Sequence, residues 1–159
     1  MRGDHHIMRS ILPTLMLVLI AAAALSCAGP AVVDRERHDE LLDLCSRFLD
    51  DYSNKRFEAI EARFAPGAVV AIDSVDNDRQ LILSAEEFLA RSRRGGPIEE
   101  WISGPATVLS DHKVACVWAP YMVEEEDGSS AGFDVFQLIN IDGEWRIICL
   151  SYTNRNLDR

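Results

Sequence analysis

From Ile98 to Tyr152 the chain reads as strand after strand joined by short turns, and that pattern restricts the fold more than any other feature. The first stretch, Ile98 to Leu109, is interrupted by Gly104-Pro105 at a bulge or a sheet edge. Ser110-Asp111-His112 turns into Lys113 to Glu124, and Glu125 to Ser130 turns into Gly132 to Ile141. Asp142-Gly143 is a tight hairpin signal, and Glu144 to Tyr152 is the last strand. The helical patterns come earlier. With Asp34 as N-cap, Leu41, Cys45, Phe48 and Tyr52 recur at helical spacing, widened by Leu42 and Leu49. A second helix spans about Lys55 to Phe64 and is ended by Pro66-Gly67. A hairpin of Val69 to Ile72 and Gln80 to Leu83 follows, with a polar turn at Asp73 to Asp78. Ser84-Ala85-Glu86-Glu87 has the form of a capping box and opens a third helix to about Arg93. Helices ahead of a run of antiparallel strands predict an α+β domain with helices on one sheet face.

The segment before Asp34 reads as an export signal. Arg2 and Arg9 precede an apolar run of 15 residues, Ile11 to Leu25, and small residues lead to Ser26-Cys27. The run contains Pro13 and is short for a bilayer span, which needs about 20 apolar residues. An uncleaved anchor is the alternative. Ala24-Leu25-Ser26-Cys27 resembles a bacterial lipobox, with Ala24 where Leu is usual. The resemblance implies lipidation of Cys27 and attachment to the membrane on the periplasmic side of a cell envelope. The competing reading is a secreted protein cut near Ala28. A start at Met8 would give a more compact signal. The expected organisation is a signal over 1–27, a tether over 28–33, a domain over 34–153 and a polar tail over 154–159.

Leaving out Arg2, Arg9 and Asp4 takes the formal charge from −10 to −11. Such a surface repels phosphate backbones and acidic headgroups, so no nucleic-acid partner is expected and membrane attachment falls to the N-terminal anchor. Cys45, Cys116 and Cys149 are left over, enough for one disulfide and a thiol, or three core thiols.

The closing residues carry a family resemblance. Gly132-Phe133-Asp134-Val135-Phe136-Gln137-Leu138, then Asp142-Gly143-Glu144-Trp145-Arg146-Ile147 and Tyr152-Thr153, follow the order helix, helix, hairpin, capped helix, meander. This resembles the nuclear transport factor 2-like (SnoaL-like) superfamily over about Asp34 to Thr153. The resemblance implies a cone-shaped, curled antiparallel sheet covered by three N-terminal helices, with a pocket between them and often a homodimer through the sheet. Members include isomerases, dehydratases, cyclases and domains that only bind, so the fold transfers no activity.

Asp134 is the ionisable residue that invites a functional reading. An Asp on the wet outer face is the ordinary arrangement in an antiparallel sheet. Alternation, however, places Asp134 with Phe136 and Leu138 on one face, and Phe133, Val135 and Gln137 on the other. The apolar bulk of the first set favours an inward Asp134, where apolar walls would raise its pKa and suit it to proton transfer. Trp118, Tyr121, Trp101, Tyr152, Phe136 and Phe64 are the aromatic candidates for the pocket, each weighed against ordinary core packing. Parity separates Trp118 from Tyr121 unless a bulge near Pro120 resets the register.

His38 and His112 have no ligand spacing, Asp73, Asp76 and Asp78 lack the rest of a calcium loop, and no phosphate loop is present. No metal and no cofactor is expected. The expected function is a non-catalytic, exported domain that binds a small apolar molecule or presents an interaction face. The alternatives are an isomerase or dehydratase using Asp134 as acid/base, with Tyr121 or Tyr152 as donor, and an envelope assembly protein dimerising through its sheet.

Overall fold

The apolar stripe beginning at Leu41 forms α1 (Arg35–Ser53), burying Leu41, Cys45, Phe48 and Leu49. The computed structural model describes residues 34–76, 79–126 and 128–158. The export segment, Cys27 and the tether lie outside them.

Asp51 makes the corner after α1. It is buried, its backbone carbonyl accepts the Arg56 N–H at 2.8 Å, and its carboxylate receives Arg56 Nε at 2.6 Å and Arg63 Nη2 at 2.7 Å. Burial pushes this carboxyl up, but the two guanidiniums outweigh it and hold it below its ordinary value. Its contribution to stability is therefore present above the usual carboxylate range and lost as pH falls through the lowered value. The clamp delays the second helix, so α2 is Phe57–Arg63 rather than about Lys55 to Phe64.

Pro66-Gly67 does not follow the helix as a stop. β1 (Phe64–Ser74) begins directly at Phe64, and the pair sits inside it, where Gly67 takes φ of 77° and the register slips between Phe64 and Val69. β2 (Arg79–Ser84) completes the hairpin. α3 (Ala85–Ser92) starts at the expected capping box: Ser84 Oγ accepts the Glu87 N–H and Glu87 accepts the Ser84 N–H.

The remaining strands are β3 (Ile98–Ile102), β4 (Thr107–Ser110), β5 (Val114–Glu125), β6 (Gly128–Ile141) and β7 (Glu144–Asn156). They form a curled, unclosed sheet in the order β2-β1-β7-β6-β5-β3, with β4 also on β5. The fold is α+β with three helices, as expected. Two details differ. β1 joins β7 in parallel, a long-range pairing that no local pattern announces. β7 also runs past Tyr152 to Asn156, because Asn156 pairs with Ser130 and the Ser129 N–H is taken by Asp158. Register shifts at Phe64/Val69 and Gln137/Leu138 bend the strands around the helices.

Pro120 is accommodated by a break on one side of β5. β4 pairs with β5 only as far as Trp118 and β3 starts at Tyr121, and the Ser103 N–H donates to the Pro120 carbonyl between them. The core lies between helices and concave face. Phe48 sits at its centre, edge-on to Phe64 at 5.7 Å and to Phe136 at 5.6 Å. Cys45, Cys116 and Cys149 are all free thiols. No described helix is long and apolar enough to cross a membrane.

Candidate functional site

Strand register gathers one set of side chains on the concave face. On β6, Asp134 pairs with Ala119 of β5 and Tyr152 of β7. The small Ala119 side chain leaves space beside the carboxyl. One alternation further along each strand stand Tyr121, Leu150 and Asn154, and Ser130 lies two alternations along β6. Glu100 reaches the same face from β3, sharing parity with Ile98 and Ile102. Helix α1 contributes Phe48, Leu49 and Tyr52, and α3 contributes Phe88. Together they enclose a cavity of about 140 Å³, with the exposed Glu125 also in its lining.

Asp134 is 2% exposed, and its Oδ2 finds no hydrogen-bond donor among the described residues. Burial lifts its pKa to about 7. Glu100 is half-buried taken whole, but its carboxyl is the desolvated part. Burial first, then the Asp134 and Glu125 charges, push it well above the carboxylate range. Its strand is tied to α1 by Ser53 Oγ, which accepts the Glu100 N–H at 2.8 Å. Tyr121 donates its hydroxyl to the Thr153 carbonyl at 2.7 Å. Gly132 permits this approach, since a Cβ there would lie 1.8 Å from that oxygen. Tyr152 meets Tyr121 edge-on at 6.4 Å, and Tyr52 stacks on Phe88 while donating to Ser92 Oγ at 3.1 Å. Burial raises all three phenols, so they stay neutral at physiological pH.

Asp134, Tyr121 and Tyr152 thus meet at one cavity, and the other aromatic candidates lie elsewhere. Trp118 is on the opposite sheet face, 45% exposed and stacked on Phe133 at 4.5 Å, because Pro120 does not reset the alternation of β5. Trp101 alternates out of the cavity on β3. Phe136 shares the face of Asp134, but α1 covers it completely, so it is core. Phe64 is core too, set between Phe48 and Phe88. Glu100, Glu125, Ser130, Asn154 and Tyr52 were missed; the alternation that placed Asp134 also places Glu100, whereas Glu125, Ser130 and Asn154 lie where a turn and a tail were expected and strands were found. His38 contacts Asp39 and His112 contacts Arg37, both exposed and away from the cavity. Among the described residues no cluster could hold a metal ion.

No family model and no curated protein matches the sequence. Solved structures do match. A protein of unknown function with a cystatin-like fold from Nostoc punctiforme superposes with a TM-score of 0.62 at 17% identity, covering 77% of this chain and 93% of that one. An NTF2-like protein of unknown function from Shewanella baltica gives 0.60 at 12% identity, over 78% and 98%. The fold is NTF2-like. A third such protein, from Pseudomonas putida, gives 0.61 at 14% identity, over 76% and 87%. At these identities the likeness fixes the NTF2-like fold and leaves the activity to the cavity.

Proposed function

We propose that this is a non-catalytic, small-molecule-binding NTF2-like domain of the cell envelope, exported by its N-terminal segment and held at the membrane by a lipid on Cys27. The observation that carries the binding reading is the Asp134 carboxyl, buried at a cavity with one oxygen unpaired. A buried acceptor without a donor costs about 1–3 kcal/mol, which a bound ligand would recover. The cavity volume is close to the roughly 150 Å³ that accommodates a benzene ring. It suits a ligand of that size and not a fused-ring substrate.

A second reading, proton transfer as in an isomerase or dehydratase, is favoured by the Asp134 pKa of about 7, near the value at which a carboxyl exchanges protons readily. It is weakened at one of its two expected donors, because Tyr121 already donates its hydroxyl to the Thr153 carbonyl, which leaves Tyr152 for that role.

Native mass spectrometry of the full chain is expected to show a small co-purifying species that Asp134→Asn loses while the circular dichroism is unchanged. Deuterium exchange into cyclohexanone separates the two readings. Binding alone predicts no exchange beyond that of the Asn variant, whereas Asp134-dependent exchange would favour the enzyme. For the anchor, a labelled fatty acid is expected on the wild type and absent from Cys27→Ser. A soluble mature form beginning after Cys27 would overturn it.

A further inference from the structure

The charge of the cavity wall is all of one sign. Asp134, Glu100 and Glu125 line it, and its described lining includes no Lys, Arg or His. An anionic ligand is therefore excluded. An apolar ligand would fill the space and leave Asp134 Oδ2 unpaired. A neutral alcohol could donate one hydrogen bond, but to only one of the two inner carboxyls. Beside aliphatic side chains, Ser130 and Asn154, the wall carries five aromatic rings: Phe48, Tyr52, Phe88, Tyr121 and Tyr152. Ring faces attract cations, and more strongly where water is excluded.

We propose that the ligand is a small primary or secondary ammonium ion, whose N–H groups donate to Asp134 Oδ2 and to the Glu100 carboxyl while its hydrocarbon part lies among the aromatic rings. This rests on the small-molecule-binding reading and names the ligand class for it. The cavity admits roughly six or seven heavy atoms, by comparison with a benzene-sized space. The unpaired oxygen selects an ammonium bearing N–H groups over a quaternary one, because a quaternary cation has no proton to give it.

Proton balance gives the inference its signature. Groups facing Asp134 are Cys45 and Tyr52 from α1, Glu100 from β3, Tyr121 and Glu125 from β5, and Tyr152 from β7. None is a cation, so the free carboxyl keeps a share of its proton near neutrality. When the ammonium ion docks, the Asp134 O–H bond breaks, its proton passes to the buffer, and the ligand retains its own protons. Binding therefore strengthens as pH rises through about 7, and Glu100, raised in the same direction, adds to that rise.

The test is calorimetric titration of the full chain with cyclohexylammonium chloride and with cyclohexanol, its neutral counterpart of nearly equal size. The ammonium ion is expected to bind at least about tenfold more tightly than the alcohol. Asp134→Asn and Glu100→Gln should each weaken ammonium binding by about tenfold or more and cyclohexanol binding by clearly less. Near neutral pH, the heats in phosphate and in Tris should differ by the released proton. If cyclohexanol binds as tightly as the ammonium ion, or if Asp134→Asn leaves ammonium binding unchanged, the ammonium inference falls and the small-molecule reading stands. If neither probe binds, both fall.

Discussion

Asp134→Asn is expected to make the protein more stable in alkaline solution, by about 3 kcal/mol, and to change little in mild acid. The wild-type carboxyl is lifted by burial from 3.8 to about 7. An acid with a raised folded-state pKa binds its proton more tightly folded than unfolded. Its penalty is absent below the unfolded value, grows as pH rises from about 4 to about 7, and is constant beyond. At about 1.4 kcal/mol per pH unit the full penalty is about 4 kcal/mol. The Asn amide escapes ionisation and retains a hydrogen-bonding demand of about 1 kcal/mol, which leaves the expected gain. Glu100, raised in the same direction, keeps a residual slope in the variant. Urea unfolding of both proteins between mild acid and alkaline pH checks this, and identical profiles would show that Asp134 is solvated. A residue that destabilises its own fold while facing a cavity is consistent with a functional role.

Phe48→Ala is expected to lower stability by about 3–5 kcal/mol, the range for emptying a buried phenylalanine site. Phe48 is 2% exposed, and its ring holds Phe64 of β1 and Phe136 of β6 in edge-on contact. These contacts join α1 to two strands that do not neighbour each other in the sheet. Phe48 also forms part of the cavity wall, so its loss would merge core and cavity. Trp118→Ala offers the contrast. Trp118 is half-exposed on the outer face, and losing its stack on Phe133 should cost about 1 kcal/mol. Chemical denaturation of the two variants side by side measures the difference. A Trp118 effect as large as that of Phe48 would mean that the outer face is covered in solution.

Much of the site was legible residue by residue. Alternation along β6 assigned Asp134 to the face of Phe136 and Leu138, and alternation along β5 separated Trp118 from Tyr121. Applied to Ile98-Glu99-Glu100-Trp101-Ile102, the same rule would have found Glu100 and turned Trp101 away. What it could not separate was Asp134 from Phe136. The two share a face two residues apart, yet one borders a cavity and the other lies wholly beneath α1. Pro66-Gly67 misled for a related reason. The pair is a turn signal in isolation, and only the parallel partner β7 made it a bulge inside a strand.

Local sequence pattern was enough for the α+β class, the capping box at Ser84, the hairpin at Asp142-Gly143 and the two faces of each long strand. These depend on neighbours a few residues apart. The tertiary structure alone decided the parallel β1–β7 pair, the corner clamped by Asp51, and the cavity with its two raised carboxyls. Desolvation of Asp134 is a sum over walls contributed by α1, α3, β3, β5 and β7. No local stretch of chain contains that sum.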